Sequence, residues 1–392
     1  MRGSAKEFSP MSEDIARKLL EVGRAFRLPG SFFSFEEITN GNVNRTYKVN
    51  YVTDNGAGLA DTHSYLVQKI NSYAFRNPEL LMSNIEKVTE HIRSRYPEKI
   101  CLHFHHAEQK GRTRAYLEDG DSIWRVYTYI PAVTYNKCCD PHIIRSAGEA
   151  FGDFQMALSD FDASRLNETI PDFHDTRKRY ENLIRDAEED PCGRRKEVRA
   201  ELEYLLAVQE EACRLTDLHN AGKLPLRVTH NDTKINNVLF HPETGVPLVV
   251  IDLDTVMPGL IGNDFGDAVR FAANFTEEDA ADTSKTGLDL NVFWAFTDGF
   301  LSRTTKSLTK EEKDTLAHSC FSITCELATR FLDDYLVGDR YFKINSERHN
   351  LIRARCQIAL ARDIQRKLRA MNAIIQSCVE QYGLPENAKA ES

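Results

Sequence analysis

Leu226-Arg227-Val228-Thr229-His230-Asn231-Asp232-Thr233-Lys234-Ile235-Asn236-Asn237-Val238-Leu239-Phe240, followed by Leu248-Val249-Val250-Ile251-Asp252-Leu253-Asp254, is the stretch that decides how this chain reads. It places a carboxylate at 232, an amide five residues later, a short strand, a turn at Pro242 to Gly245, and an apolar strand ending in a carboxylate at 252. Folded as a hairpin, the segment brings the loop and the end of the second strand together. Asn237 and Asp252 then become oxygen ligands for one hard cation, because Mg²⁺ takes carboxylate and carbonyl oxygens at ~2.1 Å and shares its other positions with phosphates and water. Asp232, held by the same loop, faces a substrate hydroxyl.

Around this segment the 392 residues carry 50 Lys+Arg against 59 Asp+Glu, a net charge of −9. Such a balance speaks against a nucleic-acid scaffold or a polybasic membrane binder, since phosphate surfaces attract clustered cations. At 41% hydrophobic and 28% charged residues the composition is too apolar and too mixed for a disordered chain. The length suits more than one domain and a cleft between lobes. The nine cysteines form no CxxC pair and no Cys/His cluster at zinc spacing, and read as reduced thiols. No apolar run approaches the ~20 residues of a membrane helix, and Met1-Arg2-Gly3-Ser4 is not followed by the apolar stretch of a signal peptide. The expectation is a cytoplasmic protein with neither nucleic acid nor membrane as partner.

The pattern changes along the chain. A helix is expected from Ser12 to before Pro29-Gly30, then strands at 35–39, 45–53 and 64–71 punctuated by Asn40-Gly41-Asn42 and Asn55-Gly56. A helix over 77–95 and strands at 100–105, 113–118 and 124–129 follow. Beyond Pro131 the reading is mostly helical: Asp140-Pro141 opens a helix through Phe161, and others span 175–187, 194–220, 309–337 and 346–382. Thr309 and Glu312 have capping-box spacing. The chain therefore reads as α+β and bilobal, with residues 1–130 a strand-rich lobe and 131–392 a helical lobe.

The spacing His-x-Asp-x-x-x-x-Asn, followed by Asp on the next strand, resembles the catalytic loop and metal-binding Asp of protein-kinase-like phosphotransferases. It is closest to the aminoglycoside phosphotransferase and choline kinase group. Asp252-Leu253-Asp254 lacks the glycine of Asp-Phe-Gly and no Ala-Pro-Glu follows, so a peptide substrate is not expected. The resemblance implies ATP as phosphate donor, Asp232 as the group that accepts the hydroxyl proton, Lys234 reaching the γ-phosphate, and His230 holding the loop. No Walker A sequence occurs. Nucleotide binding instead falls to Asn40, Gly41 and Asn42, where a glycine lets backbone amides approach phosphates. On the strand Tyr65 to Ile70, alternation puts Gln68 where a kinase lysine would stand and turns Lys69 to the opposite face unless the strand is bulged. Glu86 is the acid expected on the next helix, and the backbone around Tyr129 the expected adenine contact.

Longer segments narrow the resemblance. Gly152-Asp153-Phe154-Gln155, Phe173-His174-Asp175-Thr176, Met257-Pro258-Gly259, Asp264-Phe265-Gly266-Asp267, Arg330-Phe331-Leu332 and Gly338-Asp339 with Tyr341-Phe342 together resemble the N-acetylhexosamine 1-kinases. The similarity runs from the Asn40-Gly41 loop almost to the end of the last helix. That group also carries Gln at the Gln68 position. The resemblance implies ATP- and Mg²⁺-dependent phosphorylation of the anomeric hydroxyl of N-acetylglucosamine or N-acetylgalactosamine, with Arg330 and Tyr341 bonding sugar hydroxyls and Thr255, beside the metal strand, contacting the sugar. Asp264 and Asp267 are expected to fix the loop after the metal strand. The alternatives are a kinase of the same fold acting on choline, homoserine or an aminoglycoside, and a pseudokinase; intact Asp232, Asn237 and Asp252 weigh against the latter.

Overall fold

The computed structural model describes residues 10–39, 44–54, 60–73 and 75–383. The chain separates into two units, Met1–Pro131 and Ala132–Ser392.

The first unit comprises α1 (Pro10–Ala25), β1 (Ser31–Ile38), β2 (Arg45–Asp54), β3 (Ala60–Ile70), α2 (Pro78–Arg95), β4 (Ala107–Gln109), β5 (Arg112–Arg114), β6 (Leu117–Asp119) and β7 (Ser122–Thr128). Its main sheet runs β1-β2-β3-β7-β6, with every pair antiparallel. Alternation does the sorting. Tyr47, Val49, Tyr51, Tyr65, Val67, Trp124 and Val126 form one core with Leu19 and Val22 of α1. Gln68 stands on the other face opposite Arg125, whose guanidinium reaches Met82 of α2. α2 starts where its sequence says it should: the Asn77 side chain accepts the Leu80 N–H, and Pro78 occupies the first turn.

Two expected strands need correcting here, and one expected turn is left untested. The stretch 100–105 is no strand, only a single bridge at Phe104, and the pairing lies further on in the β4–β5 hairpin. That hairpin turns at Lys110-Gly111, both at positive φ, as a two-residue turn between twisted strands requires. The expected strand 113–118 is split between β5 and β6. The Asn40-Gly41-Asn42 turn lies outside the described residues.

The second unit holds α3 (Pro141–Ala157), α4 (Thr176–Glu189), α5 (Arg199–Ala207), α6 (Gln209–Ala212), α7 (Arg214–Asn220), β8 (Arg227–Thr229), β9 (Val238–Phe240), β10 (Pro247–Val250), β11 (Met257–Gly259), α8 (Ile261–Ala272), α9 (Leu290–Thr304), α10 (Lys310–Leu336) and α11 (His349–Gly383). β9 pairs with β10 and β8 with β11, both antiparallel. The helix expected over 194–220 is interrupted: the Val208 N–H is shared between the Tyr204 and Leu205 carbonyls, which tightens and ends α5. α8 escaped the sequence reading although Asn263, Asp264, Asp267 and Arg270 recur at helical spacing; all four are buried, so the polar face that marks the helix turns into the protein and not to solvent.

The capping box at Thr309 is present: its hydroxyl accepts the Glu312 N–H at 3.1 Å and its N–H donates to Glu312 Oε2 at 2.8 Å. Glu312 does more than cap. Its carboxylate also takes Arg227 Nε and Nη2 at 2.6 and 2.7 Å, tying β8 to the start of α10.

α3 and α9 approach closely through glycines. A Cβ on Gly299 would lie 2.0 Å from the Arg145 carbonyl oxygen, and one on Gly148 2.3 Å from that of Phe296. Gly299→Ala should therefore force the helices apart and cost about 1–3 kcal/mol of stability. Calorimetry would read this as a lowered Tm; an unchanged Tm would contradict the close contact.

Candidate active site

β8 ends at Thr229, and three of the next four residues, His230, Asn231 and Thr233, are suspended from α8. The Asp264 carboxylate accepts the His230 N–H at 2.8 Å and the Asn231 N–H at 2.7 Å. Asp267, one turn later, accepts the Thr233 N–H at 3.1 Å. Gln155 of α3 supplies a further donor to Asp264 at 2.8 Å. Burial pushes the Asp264 carboxyl up against the pull of these donors.

Asn231 sits at φ 63°, a left-handed conformation that Asn tolerates better than most residues. Its side chain keeps it there, donating to the Thr255 carbonyl at 2.8 Å and accepting the Thr229 hydroxyl at 3.0 Å. Sequence reasoning left this residue as a spacer; Asn between two chemically active residues was the available signal. His230 is fully buried, edge-on to Phe151 and Phe154. Its Nε2 lies 2.8 Å from the Ile251 carbonyl and its Nδ1 accepts the Asp232 N–H at 3.3 Å. One donor and one acceptor assign the neutral Nε2–H tautomer.

The loop thereby presents Asp232 about a third exposed, with Lys234 Nζ 2.9 Å from Oδ1. Asn237 Nδ2 donates to the Asp232 carbonyl at 2.8 Å and to Oδ2 at 3.2 Å. Burial works to raise the Asp232 carboxyl, but Lys234, with the Asn237 hydrogen bond, outweighs it and holds the group below its ordinary value. Lys234 is correspondingly raised, by Asp232 first and then by Glu278 and Asp267, against the opposing effect of burial.

The β9–β10 ladder brings the other oxygen donor close. Ile251 N–H donates to the Asn237 carbonyl at 2.8 Å, so Asp252 follows directly from the residue paired with Asn237. Asp252 is exposed and left-handed, at φ 59°. With the Asn237 amide nitrogen committed to Asp232, its Oδ1 is the end left for a cation, and Asn237 and Asp252 are oxygen-bearing residues of the kind that could hold Mg²⁺. Among the described residues no group of three or more His, Cys, Asp or Glu side chains is gathered as a metal cluster.

Arg330 and Tyr341 do come together. The Arg330 guanidinium lies 5.1 Å from the Phe173 ring, 5.8 Å from Tyr341 and 5.5 Å from Phe342. Arg179 donates to the Phe173 carbonyl at 2.9 Å, and burial together with neighbouring Arg330 pulls its guanidinium below the ordinary value. Tyr341 is held by backbone: Asp334 accepts the N–H groups of Arg340, Tyr341 and Phe342 at 2.8, 2.8 and 2.9 Å. Thr255 lies in the loop network, where its hydroxyl donates to the His230 carbonyl at 2.6 Å.

In the first unit Gln68 bonds Thr46 at 2.8 Å through Nε2 and accepts Arg125 Nε at 2.9 Å. Arg125 is a buried cation that the sequence reading did not single out, although it sits directly opposite Gln68 on β7. Glu86 is met by His106 at 2.6 Å, so the contacts described for Glu86 and Gln68 lead to different partners. Lys69 pairs with Trp124 on the α1 side of the sheet. Tyr129 N–H donates to the Ser64 carbonyl at 3.1 Å, and Lys48 lies over its ring.

Residues 34–292 match the APH phosphotransferase enzyme family. Among solved structures, the chain is similar to an aminoglycoside phosphotransferase from Alicyclobacillus acidocaldarius at 14% identity, TM-score 0.57, covering 96% of this chain and 98% of that one. An ethanolamine kinase from Plasmodium vivax matches at 14% identity and TM-score 0.55, covering 90% and 91%. A spectinomycin phosphotransferase solved with ADP and spectinomycin matches at 11% identity and TM-score 0.54, covering 90% and 98%. At these identities the likeness is one of fold.

The Asp333 carboxyl, next to the Asp334 clasp, is pushed up to about 7 by burial and by its hydrogen bond to Asp186 of α4. The folded protein keeps a proton that the unfolded chain releases near the ordinary carboxylate value. Its stabilising contribution is therefore complete below about pH 4 and is lost as pH rises through 7. Asp333→Asn, which keeps a neutral donor at every pH, should gain Tm relative to wild type between about pH 4 and about pH 8. Parallel Tm profiles for the two proteins would contradict the shared proton.

Proposed function

Because the chain belongs to the APH phosphotransferase enzyme family, we propose that it transfers the γ-phosphate of ATP to the anomeric C1 hydroxyl of N-acetylglucosamine or N-acetylgalactosamine, releasing the sugar 1-phosphate and ADP. The observation that carries the chemistry is the Asp232 carboxylate, kept ionised beside Lys234 and bonded by Asn237.

Asp232 orients the C1 hydroxyl and takes its proton as the oxygen attacks phosphorus. The ring oxygen makes that hydroxyl more acidic than its neighbours, which suits a carboxylate base. Lys234, 2.9 Å from Asp232, turns its ammonium to the transferring phosphoryl group as the substrate hydroxyl occupies Asp232. Mg²⁺, held by Asn237 and Asp252, would neutralise phosphate charge. In the first unit, Gln68 with Arg125 behind it, the Asn40-Gly41-Asn42 turn, Glu86 and the Tyr129 backbone are the proposed nucleotide contacts. The spectinomycin phosphotransferase solved with ADP supports a nucleotide as donor. With ATP as donor, the reaction belongs in the cytoplasm.

The aromatic cluster bears on the acceptor. A choline or ethanolamine ammonium would want Phe173, Tyr341 and Phe342 for itself, but the Arg330 cation already lies over all three rings and Arg179 is beside it. A neutral polyol with an amide suits these donors better, with Arg330 and Tyr341 bonding sugar oxygens and Thr255 next to the loop. The second reading, a kinase of the same fold with another small alcohol as acceptor, draws support from the fold shared with the ethanolamine kinase.

A coupled assay of ADP release would be run on N-acetylglucosamine, N-acetylgalactosamine, choline, ethanolamine, homoserine and an aminoglycoside. Turnover is expected with a hexosamine and little with the amines; no release with either hexosamine would overturn the substrate assignment. Asp232→Asn should lower kcat by roughly 10²–10⁴-fold while Tm and ATP affinity hold. Near-normal turnover in that variant would remove Asp232 as the base.

A further inference from the structure

Arg270 of α8 is 3% exposed, and its guanidinium is divided between two acids. Nε and Nη2 donate to Asp267 Oδ1 at 3.1 and 2.7 Å, and Nη1 donates to Glu278 Oε2 at 2.7 Å. Gln357 of α11 accepts a longer bond from Nη1 at 3.4 Å. Both acids bear on the catalytic loop. Asp267 uses its other oxygen to accept the N–H of Thr233, the residue between Asp232 and Lys234. Asp267 and Glu278 also act on the Lys234 ammonium in the same sense as Asp232. Lys234 thus lies in the field of three carboxylates, and only Asp232 is bonded to it in the described contacts.

A lysine ammonium on a flexible stem goes to whichever acceptor offers the most uncompensated charge. Asp267 and Glu278 are compensated by one planar cation that spans them, which a point charge does less well.

We propose that Arg270 is a positioning residue for phosphoryl transfer: by neutralising Asp267 and Glu278 it leaves Asp232 in command of Lys234, so the ammonium stays on the reacting side of the loop. This rests on the roles given above to Asp232 and Lys234. Glu278 then has two possible behaviours. Paired with Arg270 it is a spectator at the edge of the network. Freed from Arg270 it becomes a competing acceptor that draws Lys234 away.

The test is a double-mutant cycle on the full chain, following ADP release with ATP and the acceptor that turns over fastest in the panel above. Arg270→Gln should lower kcat about tenfold or more with the acceptor KM changed little. Glu278→Gln alone should cost a smaller factor. The double variant should turn over at least about threefold faster than Arg270→Gln, because one of the two competing charges has gone while Asp267 keeps the Thr233 N–H. A merely structural Arg270 would give losses that multiply in the double variant and a KM that rises with the fall in kcat; that result would overturn the proposal. If Arg270→Gln does not fold, Arg270→Lys replaces it. The lysine cannot span both acids, so kcat should still fall and Glu278→Gln should still restore it; an unaffected kcat would also overturn the proposal. Asp232→Asn separates the two levels: turnover in that variant defeats the base assignment, whereas a dead Asp232→Asn with a normal Arg270→Gln defeats the positioning role alone.

Discussion

The candidate site depends on one buried carboxylate of α8. Asp264 is 2% exposed and accepts two consecutive backbone N–H groups, from His230 and Asn231. Consecutive amides point the same way only when the chain leaves ordinary strand geometry, and the left-handed Asn231 is where it does so. Without that acceptor, two buried donors would be stranded at about 1–3 kcal/mol each. The direction of Asp232, the tautomer of His230 and the start of the turn to Asn237 all follow from this suspension. α8 is buried on every side because it carries the anchor.

In both units a cation stands behind the polar groups of interest. Gln68 is backed by Arg125, Asp232 by Lys234, and the acids around Lys234 by Arg270. A chain with a net charge of −9 has no general attraction for a polyphosphate. What bears on the candidate site is local placement of cations, and arginines fixed by bidentate or paired contacts lose less freedom than solvated lysines would.

Much of this was legible in the sequence, for reasons that differ by element. The hairpin from His230 to Asp254 could be read because strands, turn and polar residues occur in one short window, where local pattern and function coincide. The capping box at Thr309 was equally local. What sequence reasoning missed is long-range. Arg227 bonding Glu312, Arg125 bonding Gln68 and Arg270 spanning Asp267 and Glu278 are contacts that no spacing rule announces. α8 went unread although its polar residues keep a helical period, because those residues face inward as anchors; the break at Val208 comes from a hydrogen-bond choice rather than a helix-breaking residue. Glu86 shows the opposite limit: its place on the helix after β3 is as expected, while its described partner is His106.

Asp334 clasps the 340–342 segment through main-chain N–H groups, with Asn350 completing the clasp at 2.8 Å. Backbone amides are common to every residue except proline, so the grip is indifferent to which side chains the segment carries. Tyr341 and Phe342 are therefore letters that can be rewritten while the page stays bound. Changing either ring would cost its contact with Arg330, and for Phe342 also with Phe331, but would leave the three main-chain bonds that set the course of the segment in place.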